Sequence, residues 1–326
     1  MTSLVGEEPT AGHRTGKGPR KENFMISPST ILVGIDLGGT KIEGAILDRS
    51  RACEPITRLR HPTESAKGYE HVLGQVCKVV DDLRAASPGH FPEAIGIGMP
   101  GTLDPRTQKL RGSNAQCMNG QPIRADLEQR LGLRVEMEND ANCFALAEST
   151  LGAGRGYETV FGVILGTGCG GGYVVHERVL KGCHGIAGEW GQIEIEPGGV
   201  VSKHGTHGII ESYVSGPALE AFYEKESGTA LPLREIAERA PTDKHAKATL
   251  ERLQDYFGRA LGLIVNTFDP HAIVIGGGVG NLDVLYTEEM RKKIEAHIFA
   301  PHFETALLKP QLGDSAGVFG AAMLTS

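Results

Sequence analysis

Asp140 lies in the run Glu-Met-Glu-Asn-Asp-Ala-Asn, where a strand-like pattern gives way to a helical one. A carboxylate at that junction faces a helix N-terminus, whose dipole is expected to lower its pKa and keep it ionised. A positioned carboxylate can take a proton from a hydroxyl, and phosphoryl transfer makes a mild demand on its base because the transition state is loose. Asp36 ends the first apolar strand pattern, directly before Gly38-Gly39-Thr40-Lys41. An acid there can hold Mg²⁺ through water beside phosphate groups. Glu189 and Glu211 flank a glycine-rich stretch, in Gly188-Glu189-Trp190-Gly191-Gln192 and Gly208-Ile209-Ile210-Glu211. Each carboxylate can accept protons from two hydroxyls, which is what vicinal sugar hydroxyls offer.

Three glycine-rich turns accompany these acids: Gly34-x-Asp36-x-Gly38-Gly39-Thr40-Lys41, Gly166-Thr167-Gly168-x-Gly170-Gly171-Gly172 and Gly276-Gly277-Gly278-x-Gly280. Bare backbone N–H groups in such turns form anion-binding concavities, and threonine hydroxyls add donors. Two turns facing each other across a cleft are expected to hold a di- or triphosphate. The third follows a strand and opens a helix, which suits an adenosine or phosphate contact. Gly96-x-Gly98-x-x-Gly101 and Gly166-x-Gly168-x-x-Gly171 match the dinucleotide fingerprint in letters only. The first leads into Thr-Leu-Asp-Pro and the second into a strand, whereas that fingerprint must open a helix.

These residues need elements to position them. Residues 31–48 read as two strands joined by the first glycine turn, a hairpin. Apolar groups at Tyr69, Val72, Leu73, Val76, Val79, Val80 and Leu83 predict a helix over 67–86. Strands are expected at 94–97 and 133–137, with Asn139 or Asp140 capping a helix to about Leu151. The second half repeats the theme: a strand at 159–165, the second glycine turn, a strand at 173–175, helices at 209–225 and 249–268, a strand at 272–275 and a terminal helix from Gly317. The expected organisation is a disordered tail over 1–30, a small α/β domain of 31–149 plus 312–326, and a large α/β domain of 150–311, with a cleft between them. Met25 is a candidate natural start.

Glycine accounts for 45 of 326 residues, about twice the usual share. No G-X-Y period runs through the chain, and its aliphatic runs need a buried core, so neither collagen nor low complexity accounts for the excess. The formal charge of −7 leaves no basic footprint for nucleic acid and no polybasic membrane patch. No apolar run reaches membrane-spanning length. The six cysteines are scattered, without C-x-x-C, and read as small buried hydrophobes of a reducing cytoplasm.

Taken together, GIDLGGTKIEGAILD, GIGMPGTLDP, ENDANCFALAE, GVILGTGCGGGYVV, GIAGEWGQ, GIIESYVSG and IVIGGGVGN resemble the ROK family of sugar kinases in type and order. The resemblance spans about Ile31 to Ala322 and implies the two-domain actin-like, ribonuclease-H-like α/β fold. It implies ATP-dependent phosphorylation of a hexose at its 6-hydroxyl, with Mg²⁺, in a homodimer. Asp140 corresponds to the family's catalytic base. Asn114, Asn139, Glu189 and Glu211 correspond to sugar contacts, with Pro100–Gly101 nearby. Asp36, Gly38, Gly39, Thr40 and Lys41, with Gly166, Thr167 and Gly168, correspond to the ATP-phosphate sites, and Gly276, Gly277 and Gly278 lie near the nucleotide. SNAQCMNGQPIRADLEQRL is most similar to the bacterial fructokinase (mannokinase) branch, which makes fructose the expected acceptor, with mannose or glucose beside it. The Glu138–Glu148 stretch is also similar to N-acetylglucosamine kinases. That makes an N-acetylglucosamine or N-acetylmannosamine kinase the alternative, and an inactive sugar-binding protein the second one. ROK repressors resemble the same core but carry an N-terminal winged helix, for which residues 1–30 show no periodicity.

One motif departs from the family pattern. Most ROK kinases bind a structural zinc through a His and three Cys, and here those positions are Gln192, Ser202, His204 and Ile209. Ile cannot ligate, and Ser and Gln are poor zinc ligands, so no structural zinc is expected. Gln192 keeps the ability to hydrogen-bond a sugar. His204 and His207 are read as solvated loop histidines.

Overall fold

The computed structural model describes residues 30–51, 53–87, 91–202 and 205–326. Met25, His204 and the expectation of a disordered tail over residues 1–29 lie outside the described residues. The strands are β1 (Ile31–Leu37), β2 (Lys41–Asp48), β3 (Glu54–Pro62), β4 (Ala94–Met99), β5 (Thr102–Leu103), β6 (Leu110–Arg111), β7 (Arg134–Asn139), β8 (Thr159–Leu165), β9 (Cys169–Val175), β10 (Arg178–Val179), β11 (Ala272–Gly276) and β12 (Ala306–Leu308). The helices are α1 (Tyr69–Ala86), α2 (Ile123–Leu131), α3 (Asp140–Thr150), α4 (Glu211–Val214), α5 (Gly216–Ser227), α6 (Leu233–Arg239), α7 (Lys244–Phe268), α8 (Gly277–Gly280), α9 (Glu288–Glu295) and α10 (Ala316–Met323).

Two five-stranded sheets share one plan. The first runs β3-β2-β1-β4-β7 and the second β10-β9-β8-β11-β12. In each, an antiparallel hairpin (β1–β2, β8–β9) is extended on one side by an antiparallel strand and on the other by two parallel ones. α1 seals the first sheet with the side chains its periodicity presents, Val72 to Leu83, all buried. α7 does the same in the second half with Leu253, Phe257, Leu261 and Ile264.

α3 and α10 join the halves. α10 lies on β1 and β4, α3 lies on β8 and β9, and the two helices pack on each other. Glycine makes this possible. A Cβ at Gly96 would come within 1.7 Å of Ala321 O under α10, and one at Gly162 within 2.5 Å of Ala145 Cβ under α3. Glu148, fully buried on α3, accepts the backbone N–H groups of Ala153 (2.9 Å), Gln311 (3.1 Å) and Leu312 (2.9 Å). That carboxylate fixes the point at which the chain returns from the second sheet to α10.

Several expectations change in detail. The single helix expected over 209–225 is two, because Ser215 is extended (ψ 155°) and Pro217 then opens a new helix. The strand expected at 173–175 begins at Cys169, so Gly170, Gly171 and Gly172 are strand residues and not part of a phosphate loop. A Cβ at Gly172 would meet Asn142 Oδ1 at 2.7 Å, so close packing explains these glycines. β3, α2, α6 and α9 lack a long apolar period and had no counterpart in the sequence reading.

Candidate functional site

The floor of the site is the end of β7 and the first turn of α3. Asn139 is the N-cap, its Oδ1 accepting Ala141 N–H at 2.9 Å while its Nδ2 donates to Gly101 O at 3.1 Å. The parallel register pairs Met99 with Asn139, which brings the Pro100–Gly101 turn beside Asp140. Gly101 adopts φ +88°, and a Cβ there would press on Arg111 O at 2.3 Å. Asn114 is exposed after β6, on a segment tied down by Ser113 N–H donating to Asn119 Oδ1 at 2.9 Å.

Asp140 remains accessible from the cleft, yet protein surrounds its carboxylate on most sides. Burial raises its pKa, and the N–H donors of Ala141 and Asn139's side chain offset this only in part. The expectation that the helix dipole would hold its pKa down is therefore corrected: desolvation wins over the dipole. A raised pKa makes the carboxylate a better proton acceptor.

Glu189 precedes the turn Trp190–Gln192. Trp190 anchors that turn, its indole N–H donating to Gly170 O at 3.0 Å and its ring packed edge-on against Phe161 at 5.8 Å. Burial raises the Glu189 pKa, and the charges of Asp140 and Glu211 raise it further. Glu211 opens α4 and accepts Cys169 N–H at 2.9 Å. Asp140, Glu189 and Glu211 therefore share one field although their positions in sequence are far apart. Gln192 is exposed beside them.

Of the remaining positions expected to replace zinc ligands, Ile209 is fully buried and bridges Glu194 across the loop, and Ser202 is half-buried. His207 is exposed. Among the described residues no group of three or more His, Cys, Asp or Glu side chains gathers as a metal site. The described part of the 193–210 loop is held from α4 and α7. Arg259 donates to Ile195 O at 2.6 Å and to Glu196 at 3.0 Å, Tyr256 donates to Glu196 at 3.3 Å, and Tyr213 accepts Val200 N–H at 2.9 Å. Tyr213 and Tyr256 stack at 4.1 Å.

The opposite wall is the β1–β2 turn. Gly38 N–H donates to Lys41 O at 3.0 Å, and Thr63 and Ser65 hydroxyls donate to Gly38 O and Gly39 O at 2.6 and 3.2 Å. The turn is thus pinned from behind, leaving Gly39 open: a Cβ there would touch nothing within 4 Å. Thr40 and Lys41 are exposed beside it. Burial pushes the Asp36 carboxyl up to about 6, helped by the charges of Asp140 and Glu43 and opposed by Lys41 and Arg60. The second turn closes with Gly166 N–H donating to Gly168 O at 3.0 Å, and Thr167 is exposed at its tip. Gly276 backs onto the Phe144 ring (a Cβ would be 2.6 Å away) and Gly277 takes φ +84° against Leu165 O, while a Cβ at Gly278 would meet nothing within 4 Å. Gly276 and Gly277 are therefore required by packing and turn geometry, and Gly278 is the open one.

Arg58, Arg60 and Glu43 were missed. The register sets Asp36, Glu43 and Arg60 side by side across β1, β2 and β3. Glu43, 1% exposed, receives Arg58 and Arg60 (2.7 Å), with Lys41 at 3.9 Å. Burial raises the Glu43 pKa, but the two guanidiniums outweigh it and hold the carboxyl below its usual range. Only Arg58-Leu59-Arg60 alternates in type, a stretch too short to announce a strand.

Two mixed sheets of one plan, coupled through α3 and α10 around a carboxylate-lined cleft, define the actin-like ATPase fold. The ROK family profile matches residues 32–326. An N-acetyl-D-glucosamine kinase of Mannheimia succiniciproducens is 34% identical over 308 residues, covering 90% of this chain and 99% of that one. Among solved structures, a ROK hexokinase from Thermus thermophilus superposes with a TM-score of 0.80 at 34% identity, covering 90% and 97% of the two chains. A ROK glucokinase from Streptomyces griseus, in complex with glucose and AMPPNP, gives 0.71 at 30% identity, covering 90% and 98%. The chain belongs to the ROK family, and it is an ATP-dependent sugar kinase. Among the described residues no helix is long and apolar enough to cross a membrane.

Proposed function

We propose that the chain transfers the γ-phosphoryl group of ATP to the 6-hydroxyl of an N-acetylhexosamine, with N-acetyl-D-glucosamine as the preferred acceptor. This replaces fructose as the expected sugar: the curated relatives at 34% identity over nine-tenths of the chain are named N-acetyl-D-glucosamine kinases. The observation that carries the reading of the site is the shared field of Asp140, Glu189 and Glu211. A Glu189 carboxylate that feels the charges of both Asp140 and Glu211 favours a ligand that brings hydroxyl donors and no negative charge of its own at that end.

In this reading Glu189, Glu211, Asn114 and Asn139 orient the sugar, Gln192 adds a polar contact, and the Pro100–Gly101 turn supports the ring. Asp140 accepts the 6-hydroxyl proton as O6 bonds to the γ-phosphorus and the bond to the leaving ADP oxygen breaks. The residues of the two turns fit a triphosphate: Gly39 and Gly166 present backbone to open space, and Thr40, Lys41 and Thr167 line the same edges. Gly278 is the open position for the nucleotide. Asp36, half-buried and pressed by neighbouring carboxylates, fits a site for Mg²⁺ held through water; when bound, the ion neutralises phosphate charge. Closure of the halves would keep water from taking the phosphoryl group.

An ADP-coupled assay over N-acetylglucosamine, N-acetylmannosamine, glucose, mannose and fructose tests the assignment. The highest kcat/KM is expected for N-acetylglucosamine. A higher value for fructose would return the acceptor to the fructokinase reading.

A further inference from the structure

A cavity of about 230 Å³ lies between the first half and the segment Lys181–Gly185 of the second, with room for roughly seven waters. Its wall includes Gln108, Arg124, Glu138, Lys181 and Cys183; it shares Asn139 with the site described above, but none of Asp140, Glu189 or Glu211. The segment is fastened to the first half at three points. Thr102 Oγ1 donates to Gly185 O at 2.9 Å, Arg111 donates to His184 O at 2.9 Å, and Lys181 pairs with Glu138 at 3.2 Å.

The charges in this wall do not balance. Glu138, 7% exposed, is fully engaged: besides Lys181 it accepts Asn139 N–H at 2.9 Å and Asn142 Nδ2 at 3.0 Å. Arg124 makes no hydrogen bond or ion pair with any described residue, and its Nε–H is sealed from solvent without an acceptor. A donor stranded in this way is costly, the more so on a charged group. A guanidinium offers a planar fork that matches the oxygens of a phosphate or carboxylate.

We infer that this cavity is a binding site for a phosphate-sized anion, gripped by Arg124 from the first half and by Lys181 from the second. The anion is either free inorganic phosphate or the phosphate of a phosphorylated hexose. By joining α2 to the segment that leads into Glu189, the bound anion alters how firmly the sugar-side wall is held. This last consequence rests on the reading of Glu189 as a sugar contact; the binding itself does not.

The test uses the full chain saturated with AMPPNP, so that the nucleotide turns are occupied. Inorganic phosphate and N-acetylglucosamine 6-phosphate are titrated separately by calorimetry, with ionic strength held constant by chloride. One of them is expected to bind saturably, with affinity reduced at least tenfold in Arg124→Leu, while all proteins melt alike in chloride alone. Tighter binding of one probe identifies the source of the anion. Arg124→Gln, which keeps a donor of similar reach, serves if the leucine variant does not fold, and is expected to lose a smaller part of the affinity. With N-acetylglucosamine as acceptor, the bound anion is expected to shift the KM of the wild type and leave that of Arg124→Leu unmoved. Absence of saturable binding of both probes, or binding undiminished in the Arg124 variants, overturns the site. Arg124-dependent binding in a wild type that does not phosphorylate N-acetylglucosamine would leave the anion site standing and overturn the acceptor reading instead.

Discussion

The β1–β2 and β8–β9 turns occupy equivalent places in the two sheets, and they carry different chemistry. The first is set in charge: Asp36 and Lys41 belong to it, and the buried Glu43 draws Arg58 and Arg60 against its edge. The second is Gly166-Thr167-Gly168, with Glu211 bound to the N–H of Cys169 at its exit. One hairpin geometry thus offers cations and a titrating carboxylate on one side, and backbone, a hydroxyl and the Glu211 carboxylate on the other. Repetition of backbone plan therefore says little about electrostatics, which the neighbouring strand supplies.

Asp140 lies where the two sides meet, so its replacement should have the largest effect. Asp140→Asn is expected to lower kcat by roughly 10²–10⁴-fold, with the melting temperature unchanged or higher because a desolvated carboxylate is removed. Steady-state turnover with calorimetric melting checks both halves of this expectation. A variant keeping near-normal kcat would sink the assignment of the base.

Glycines separate the turns from the strands that continue them. Gly172→Ala places a Cβ against the Asn142 backbone at 2.8 Å, and overpacking of that kind costs about 1–3 kcal/mol. Gly39→Ala meets nothing within 4 Å, so it should leave stability nearly unchanged and raise the KM for ATP. Chemical denaturation and donor kinetics on the two variants should give opposite patterns. If Gly39→Ala is the destabilised one, the division between packing glycines and phosphate-facing glycines is wrong.

That division also shows what was legible before the structure. The hairpins, α1 and α7 announced themselves because their buried faces repeat at regular spacing, and Asp140, Glu189 and Glu211 stood in recognisable runs. The glycine excess pointed correctly to close approach, but not to which partner. A glycine open at a turn and one lying under α3 or α10 look alike in one dimension, as Gly166 and Gly172 illustrate. β3 carries Arg60 and was unreadable as a strand since its burial alternates only weakly. Arg124 gave no signal at all, because what distinguishes it is that its Nε–H finds no acceptor among the described residues.

Asp36 offers a test by pH. Its carboxyl sits at about 6 in the folded chain against an ordinary 3.8, so the folded state binds the proton more tightly than the unfolded one. Ionisation then opposes folding: the penalty is absent below about pH 4, grows as pH rises to about 6, and stays constant above. Asp36→Asn removes it. In metal-free buffer the variant should gain stability relative to the wild type across that window, by up to about 3 kcal/mol at 1.4 kcal/mol per unit. A difference that shrinks as pH rises would contradict the burial of Asp36.

The smallest effect is expected at Arg60, which the first turn has and the second lacks a counterpart for in its own register. Arg60 is half exposed, 47%, so salt screens it and its contribution to a bound triphosphate must be modest. Arg60→Gln should raise the KM for ATP a few-fold at low ionic strength, with the effect fading as salt is added, and leave the KM for the sugar in place. The opposite pattern, a change confined to the sugar, would mean that the charge around Glu43 serves the acceptor side. The two turns would then divide the substrates differently from the way their neighbouring strands divide the charge.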